Sequence, residues 1–360
     1  MTLTGAASEE QSSPDARGVS ESVGESQPSP VETVEASLTG VPLPPMVPGL
    51  PVLGHALELA GDSRPFLIGL YRKFGPIFRL RVPNQTLTVL AGPEANQFFS
   101  QAGGEHFRSR ELWQAFATEL GSDHLMNAID GPEHAWQRKV MKPGFARQTM
   151  LDRLPEVIRV VDQACAKLAI GREIAVLPFM QGVVTEQLGV VLTGRSPGEY
   201  MPDIRKMVRL ALNTLVVRKW PRAVLWSPGY RRAKARVREL ANGLIADHRA
   251  LAPPARKADM IDDLMAAHQQ RPDVYTENDL RVGVVGPYIA GLDTVANTCA
   301  FMLRALLSEP EVLRSVTEEV DTAMNAGPLT AEVLKQMHAL HGAAMETLRL
   351  YPVAALSQRT

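Results

Sequence analysis

The run Ala290-Gly291-Leu292-Asp293-Thr294 places a small residue, a carboxylate and a hydroxyl in the middle of a long apolar stretch. A threonine hydroxyl both donates and accepts a hydrogen bond, and a carboxylate beside it can exchange protons. The pair can therefore hand a proton to a reacting group. Two further groupings carry paired charge. Glu346 and Arg349 stand three residues apart, the spacing of an ion pair on one helix face, and Pro352 follows them. His134 and Arg138 stand four apart in Asp130-Gly131-Pro132-Glu133-His134-Ala135-Trp136-Gln137-Arg138. Two donors on one face make a charge-assisted clamp for an anionic carboxylate. Asp259-Met260-Ile261-Asp262-Asp263 is an acidic cluster that could hold magnesium, but no second such motif accompanies it.

Helices must position these groups. The segment 277–308 opens on Thr276 and Asp279, a capping-box pattern, and Pro310 stands just past its end. Gly291, Thr294 and Pro287 oppose a regular helix at its centre, and a buried Asp293 would need a partner. Local rules failing together in one place suggest a functional site, so an interrupted helix with a buried acid is expected there; a packing glycine is the plainer alternative. Apolar periodicity predicts other helices over 65–74, 93–100, 133–142, 151–169, 178–193, 203–219, 230–251, 259–268, 310–325, 330–336 and 338–350. Alternation in Ile77–Val82 and Thr86–Ala91 predicts one β-hairpin. The fold class is mainly α with a small β-sheet near the N-terminus. Residues 1–40, rich in Ser, Glu, Gly and Pro and without an aromatic, read as a disordered acidic tail, and the proline-rich run after them as extended chain.

The order of these motifs resembles that of the cytochrome P450 family, of the soluble bacterial type. The resemblance covers about residues 41–360, a partial cytochrome P450 domain, and rests on the runs at 130–138, 290–294 and 346–352 and on the Phe74-Gly75-Pro76-Ile77-Phe78 turn. It implies a haem-thiolate monooxygenase that inserts one oxygen atom from O2 into a hydrophobic small molecule. Asp293 and Thr294 would then be the catalytic proton relay for oxygen activation. His134 and Arg138 would bind a haem propionate, Arg359 another, and Ala290 and Gly291 would face haem, the glycine opening a groove over the iron. Glu346 and Arg349 would form a buried structural ion pair. Trp113, Phe116, Leu120, Leu212 and Leu215 are the candidate substrate-pocket residues. The expected cofactor is haem b with its iron, and the electron donor a ferredoxin or flavodoxin, met by the basic set Lys139, Lys142 and Arg147 that follows the His134 helix.

The family holds iron through a cysteine in an F-x-x-G-x-x-x-C-x-G loop beyond E-x-x-R. Neither Cys165 nor Cys299 lies in such a loop, so no metal ligand is expected within these residues. The fold is read as incomplete at the C-terminus, truncated before that loop, with activity implied for the full-length protein. Both thiols lie in apolar stretches and read as reduced and buried. The rival readings are a catalytically inactive helical protein that cannot bind haem by thiolate and, from the acidic cluster, an isoprenoid synthase-like enzyme.

Bulk properties narrow the partners. The 38 basic and 39 acidic residues leave no excess for nucleic acid. No run of about 20 apolar residues suggests a transmembrane segment, and the expectation is a cytoplasmic monomer. Arg218, Lys219, Arg222, Arg231, Arg232, Lys234, Arg236 and Arg238, with Trp220 and Trp226 among them, read as a solvated helix face, with nucleic acid or an anionic membrane surface as the alternative.

Overall fold

The computed structural model describes residues 42–360 apart from Asn84 and Ala355. The acidic tail expected over 1–40 lies outside the described residues. The described residues begin along the edge of the hairpin β1 (Ile77–Val82) and β2 (Gln85–Leu90), paired antiparallel from Ile77↔Leu90 to Val82↔Gln85. The proline-rich run is extended as expected. It pairs beside β1, with Val47 N–H donating to the Arg79 carbonyl at 2.9 Å and Arg79 N–H to that of Pro45 at 2.8 Å. Prolines suit such an edge because the donors they lack would point outward. Val47, Phe78 and Leu80 are buried there against Phe66, Leu67 and Leu70 of α1 (Ser63–Phe74), a small core of its own.

The main core is helical. Its elements are α2 (Arg110–Leu120), α3 (Gly131–Met141), α4 (Leu154–Cys165), α5 (Val176–Thr193), α6 (Met201–Ala211), α7 (Pro228–Ala250), α8 (Met260–Gln270), α9 (Glu277–Ser308), α10 (Pro310–Asn325) and α11 (His338–Leu350). Helix α2 falls where no helix was predicted. Trp113, Phe116, Ala117 and Leu120 repeat at helical spacing, and Phe116 and Ala117 are buried by it. Helix α4 is shorter than the periodicity suggested and ends at Cys165, which is exposed rather than buried.

Helix α9 has the predicted bounds, and its 32 residues span about 48 Å. The expected interruption does not occur: it stays α-helical through Pro287 and Gly291. Close packing explains this. A Cβ on Gly291 would stand 2.4 Å from Leu188 Cδ1, and one on Gly189 of α5 would stand 2.6 Å from Tyr288 Cε1. The two glycines let α5 and α9 cross closely, and the contacts made there offset the cost of keeping these residues helical. At the crossing the Thr193 and Tyr288 hydroxyls lie 2.6 Å apart, and Tyr288 donates to the Arg195 carbonyl at 2.9 Å. Helix α5 is the one described helix long and apolar enough to cross a membrane, yet it packs between α4 and α9.

Gly189→Ala tests this crossing. The added methyl would also stand 2.6 Å from the Arg195 carbonyl oxygen, which is backbone and cannot rotate aside. The variant should lose about 2–3 kcal/mol, against the roughly 1 kcal/mol gain expected from helix propensity alone. Gly291→Ala should lose less, because the atom in its way is the free end of a leucine. Urea unfolding of the two variants checks the order.

Candidate functional site

Helical phase sorts the central motif into two faces. Gly291, Leu292 and Ala296 are buried, with Gly291 against α5. Ala290, Asp293 and Thr294, at i, i+3 and i+4, lie together on the opposite, exposed face. The sequence expectation is corrected twice here. Gly291 does not face the same space as the relay pair, and Asp293 is exposed instead of buried, because no described element covers that face. Thr294 donates its hydroxyl proton to the Ala290 carbonyl at 2.7 Å, so its oxygen keeps lone pairs to accept from a ligand. The Asp293 carbonyl takes a bond from Asn297 Nδ2, which leaves the Asp293 carboxylate free of that neighbour.

A second set of groups is joined by hydrogen bonds across the sequence. Asp130 at the start of α3 accepts from Ser109 N–H and Oγ, both at 3.0 Å, and from Arg110 N–H at 3.1 Å. Burial alone would raise its carboxyl, but the bonds from Ser109 and Arg110 outweigh that and hold it below the usual range. The neighbouring Arg108 pairs with Thr360 in both directions, N–H to carbonyl at 2.8 and 2.9 Å. Residues 108–110 therefore tie the start of α3, which carries His134 and Arg138, to the segment that carries Arg359. Among the described residues neither His134 nor Arg138 makes a side-chain hydrogen bond or ion pair; His134 is half-buried and Arg138 exposed. Arg359 is exposed, donates only to its neighbour's carbonyl, and lies over the Phe99 ring at 5.4 Å. Trp136 turns the other way, edge-on to Tyr275 with Arg271 over its ring.

Glu346 and Arg349 do pair, at 2.5 and 2.7 Å, and each lowers the free energy of the other's charged form. The pair is exposed, not buried as expected, with the two side chains 53% and 68% accessible. Helix α11 packs on α9 and α10 through its other face, and no described element lies over the pair. The stacked rings of Phe301 and Tyr351, 4.9 Å apart, fix the chain where it leaves α11.

The substrate-pocket candidates are corrected in part. Phe116 and Leu215 are buried core residues, and Trp113 and Leu212 pack against the same core. Leu120 does line a cavity of about 100 Å³, together with Met207 of α6 and Val285 and Ile289 of α9. Val285 was missed by sequence reading; its signal was the apolar run upstream of Ala290.

The acidic cluster is structural. Asp259 caps α8 by accepting from Ile261 N–H at 2.9 Å and contacts buried His248 at 3.1 Å. Asp262 is held by Arg256 at 2.5 and 2.8 Å. The guanidinium supplies the positive charge that magnesium would have brought, which removes the motif behind the synthase reading. Cys299, half-buried on α9, has its thiol pushed up by burial.

Comparison with known proteins gives the family. The family model described as Cytochrome P450 matches residues 44–360. Cytochrome P450 139 of Mycobacterium bovis is 25% identical over 301 residues, covering 81% of this chain and 69% of its own. Flavonoid 3'-monooxygenase CYP75B3 of Oryza sativa subsp. japonica is 25% identical over 354 residues, covering 88% and 66%. Among solved structures, retinoic acid-bound cyanobacterial CYP120A1 superposes with a TM-score of 0.71 at 22% identity, over 86% of this chain and 70% of that one. The chain belongs to the cytochrome P450 family, whose members are monooxygenases that bind haem, and it spans about two-thirds of the length of these relatives.

Proposed function

We propose that this chain supplies the oxygen-activating face and the propionate clamp of a P450 monooxygenase acting on a hydrophobic small molecule. The observation that carries the reading is the exposed trio Ala290, Asp293 and Thr294 on α9, together with the two donors His134 and Arg138 on α3 that lack partners among the described residues. The residues fit haem in part. His134 and Arg138 would donate to a propionate, Arg359 to another, and the Ala290 face would lie against the ring. Neither cysteine is placed as its axial thiolate. When bound, haem would supply the iron chemistry that activates O2.

The chain's own residues then bind, orient and move protons. Thr294, anchored by its bond to the Ala290 carbonyl, would accept a proton-bearing ligand at its free lone pairs. Asp293, exposed on the same face, would pass a proton to the Thr294 oxygen as the Thr294 hydroxyl proton moves on to the bound ligand. Ile289, Val285 and Leu120 would present apolar surface to a substrate and exclude water from it. Lys139, Lys142 and Arg147 are all exposed, with Phe145 among them at 51% accessibility, and suit an acidic ferredoxin or flavodoxin.

Haem titration of the 360-residue chain tests the clamp. His134→Leu and Arg138→Leu should each weaken haem retention by about tenfold, the value of one hydrogen bond to a charged group. Equal retention by both variants, in protein with an unchanged thermal melt, would remove the clamp and favour the inactive helical protein.

A further inference from the structure

His248, near the end of α7, is buried with an acceptor against each ring nitrogen. Nδ1 lies 2.8 Å from the Leu244 carbonyl one turn back, and Nε2 lies 3.1 Å from both Asp259 oxygens. A carbonyl only accepts, so Nδ1 carries a hydrogen. The equal spacing at Nε2 is that of an N–H shared between the two oxygens of a carboxylate. A carboxylic acid donating to a bare Nε2 would bring one oxygen close and leave the other behind. Both nitrogens therefore carry hydrogens, and the ring is an imidazolium. It is well shielded, with the His248 and Asp259 side chains 6% and 1% accessible.

Charge balance agrees with the geometry. Arg256 holds Asp262 at 2.5 and 2.8 Å and stands 3.6 Å from Asp259. With His248 protonated, the cluster holds the cations His248 and Arg256 and the anions Asp259 and Asp262. Loss of the one proton leaves a carboxylate uncompensated where water barely reaches. The other charged groups around the ring are engaged elsewhere. Asp247 and Arg249, its neighbours on α7, pair with Arg195 at 2.9 Å and with Glu277 of α9 at 3.0 Å. From α5 the close neighbour is uncharged: a Cβ on Gly194 would stand 3.1 Å from Asp259 Oδ2. From α9, Tyr288 is near enough to sense Asp259, and burial pushes its phenol up to about 12, so it stays neutral. Asp263, next along α8, is partly buried and adds negative charge that favours the imidazolium.

We propose that the His248 proton is a pH-sensitive latch that fastens the connection between α7 and α8, and that its loss at alkaline pH frees residues 256–262. The segment it holds is a junction. Asp259 caps α8 through Ile261 N–H, Arg153 at the start of α4 donates to the Ala258 carbonyl at 3.2 Å, and Lys257 pairs with Glu156 of α4 at 3.0 Å. The start of α8 is also the seat of the basic segment after α3, since a Cβ on Gly144 would stand 3.0 Å from Met260 Cβ. Burial alone would lower the imidazole, but the bond to Asp259, its charge and the Leu244 carbonyl outweigh burial and raise it. A folded-state value above the unfolded one, about 6.5, means the stabilisation is complete below that pH and is lost as pH rises through the folded value. None of these residues is assigned to haem, so the test stands apart from the function proposed above.

The experiment is nitrogen NMR of the histidine-labelled 360-residue chain through a pH titration, with His248→Gln identifying the signal. His248 should titrate above about 6.5, losing the hydrogen on Nε2 while Nδ1 keeps its own. Asp259→Asn keeps an oxygen for the α8 cap but removes the charge, and should bring the titration down to the ordinary value or below. A ring already neutral below pH 6.5, or a titration unmoved by Asp259→Asn, overturns the proposal. Urea unfolding gives the second readout. At pH 6, His248→Gln should cost about a hundredfold in the folding equilibrium constant, and its gap from the parent should narrow as pH rises; a constant gap overturns the linkage. Amide hydrogen exchange of the parent, corrected for its intrinsic pH dependence, should accelerate over residues 256–262 before the rest of the chain. Even acceleration everywhere overturns the latch. The parent's titration and exchange decide the matter without either variant should one fail to fold.

Discussion

Asp279→Ala should destabilise the protein by about 3–5 kcal/mol, one of the largest losses expected from any single substitution here. The carboxylate is 1% accessible and accepts five hydrogen bonds. Thr276 gives its N–H at 2.9 Å and its hydroxyl at 2.6 Å, which closes the cap of α9. Ser122 Oγ at 2.8 Å and the N–H groups of Asp123 and His124, both at 3.0 Å, come from the segment joining α2 to α3. His124 Nδ1 stands 3.4 Å away without an aligned bond and contributes attraction only when protonated. One side chain therefore starts the central helix and fastens the segment leading to His134. Alanine would leave several buried donors without acceptors. Asp279→Asn keeps the shape and part of the bonding, so it should lose clearly less. Urea unfolding at neutral pH separates the two, and equal losses would show that the effect is packing alone.

The same group predicts a pH response. Burial would raise the Asp279 carboxyl, but the bonds from Thr276, His124 and Ser122 outweigh it and place the group below its ordinary value. A depressed folded-state pKa means that the stabilisation is fully present above the unfolded value, about 3.9, and is lost as pH falls through the lower folded value. The wild-type protein should thus lose stability in acid, and Asp279→Asn should lose less over the same interval. Parallel unfolding curves for the two proteins through that interval would refute the assignment.

The second large effect is spectroscopic. Haem added to the 360-residue chain, reduced and exposed to carbon monoxide, should show no Soret band of the thiolate type. Cys165 ends α4 at an exposed position far in the chain from the relay helix. Cys299 lies on α9 five residues past Thr294, about 140° around the helix from it at 3.6 residues per turn. Its half-buried thiol is held protonated, whereas a metal needs the thiolate. A thiolate band that vanished in Cys299→Ser would overturn this placement, while one that survived in the double serine variant would indicate an external thiol. Haem retained without the band would leave the His134–Arg138 clamp as the attachment measured by titration.

The elements were largely legible in the sequence because each follows from local chemistry. Thr276, Asp279 and Pro310 bracket α9 at its observed ends, and alternation in Ile77–Val82 marks β1. Phe116 and Trp113 were read as pocket residues because a helix was not recognised there; their core role follows once α2 is formed. The motifs at 130–138, 290–294 and 346–352 sufficed for the family, since their order along the chain is itself the signal.

Tertiary structure decided what each motif faces. Gly291 and Thr294 are three residues apart, but helical phase puts one against α5 and the other on the open face. Glu346 and Arg349 pair whether covered or not, so spacing could not tell a buried pair from an exposed one. Asp279 announced a helix cap, and only folding brought it the donors of residues 122–124, more than 150 positions away. Trp226 shows the same division: its identity is local, but its exposure depends on where the α6–α7 hairpin ends relative to the core. Sequence determines which bonds a residue can make with its near neighbours. Burial and long-range partners depend on the packing of every helix at once, and for this chain they set the roles of Gly291 and Asp279 and the exposure of Trp226.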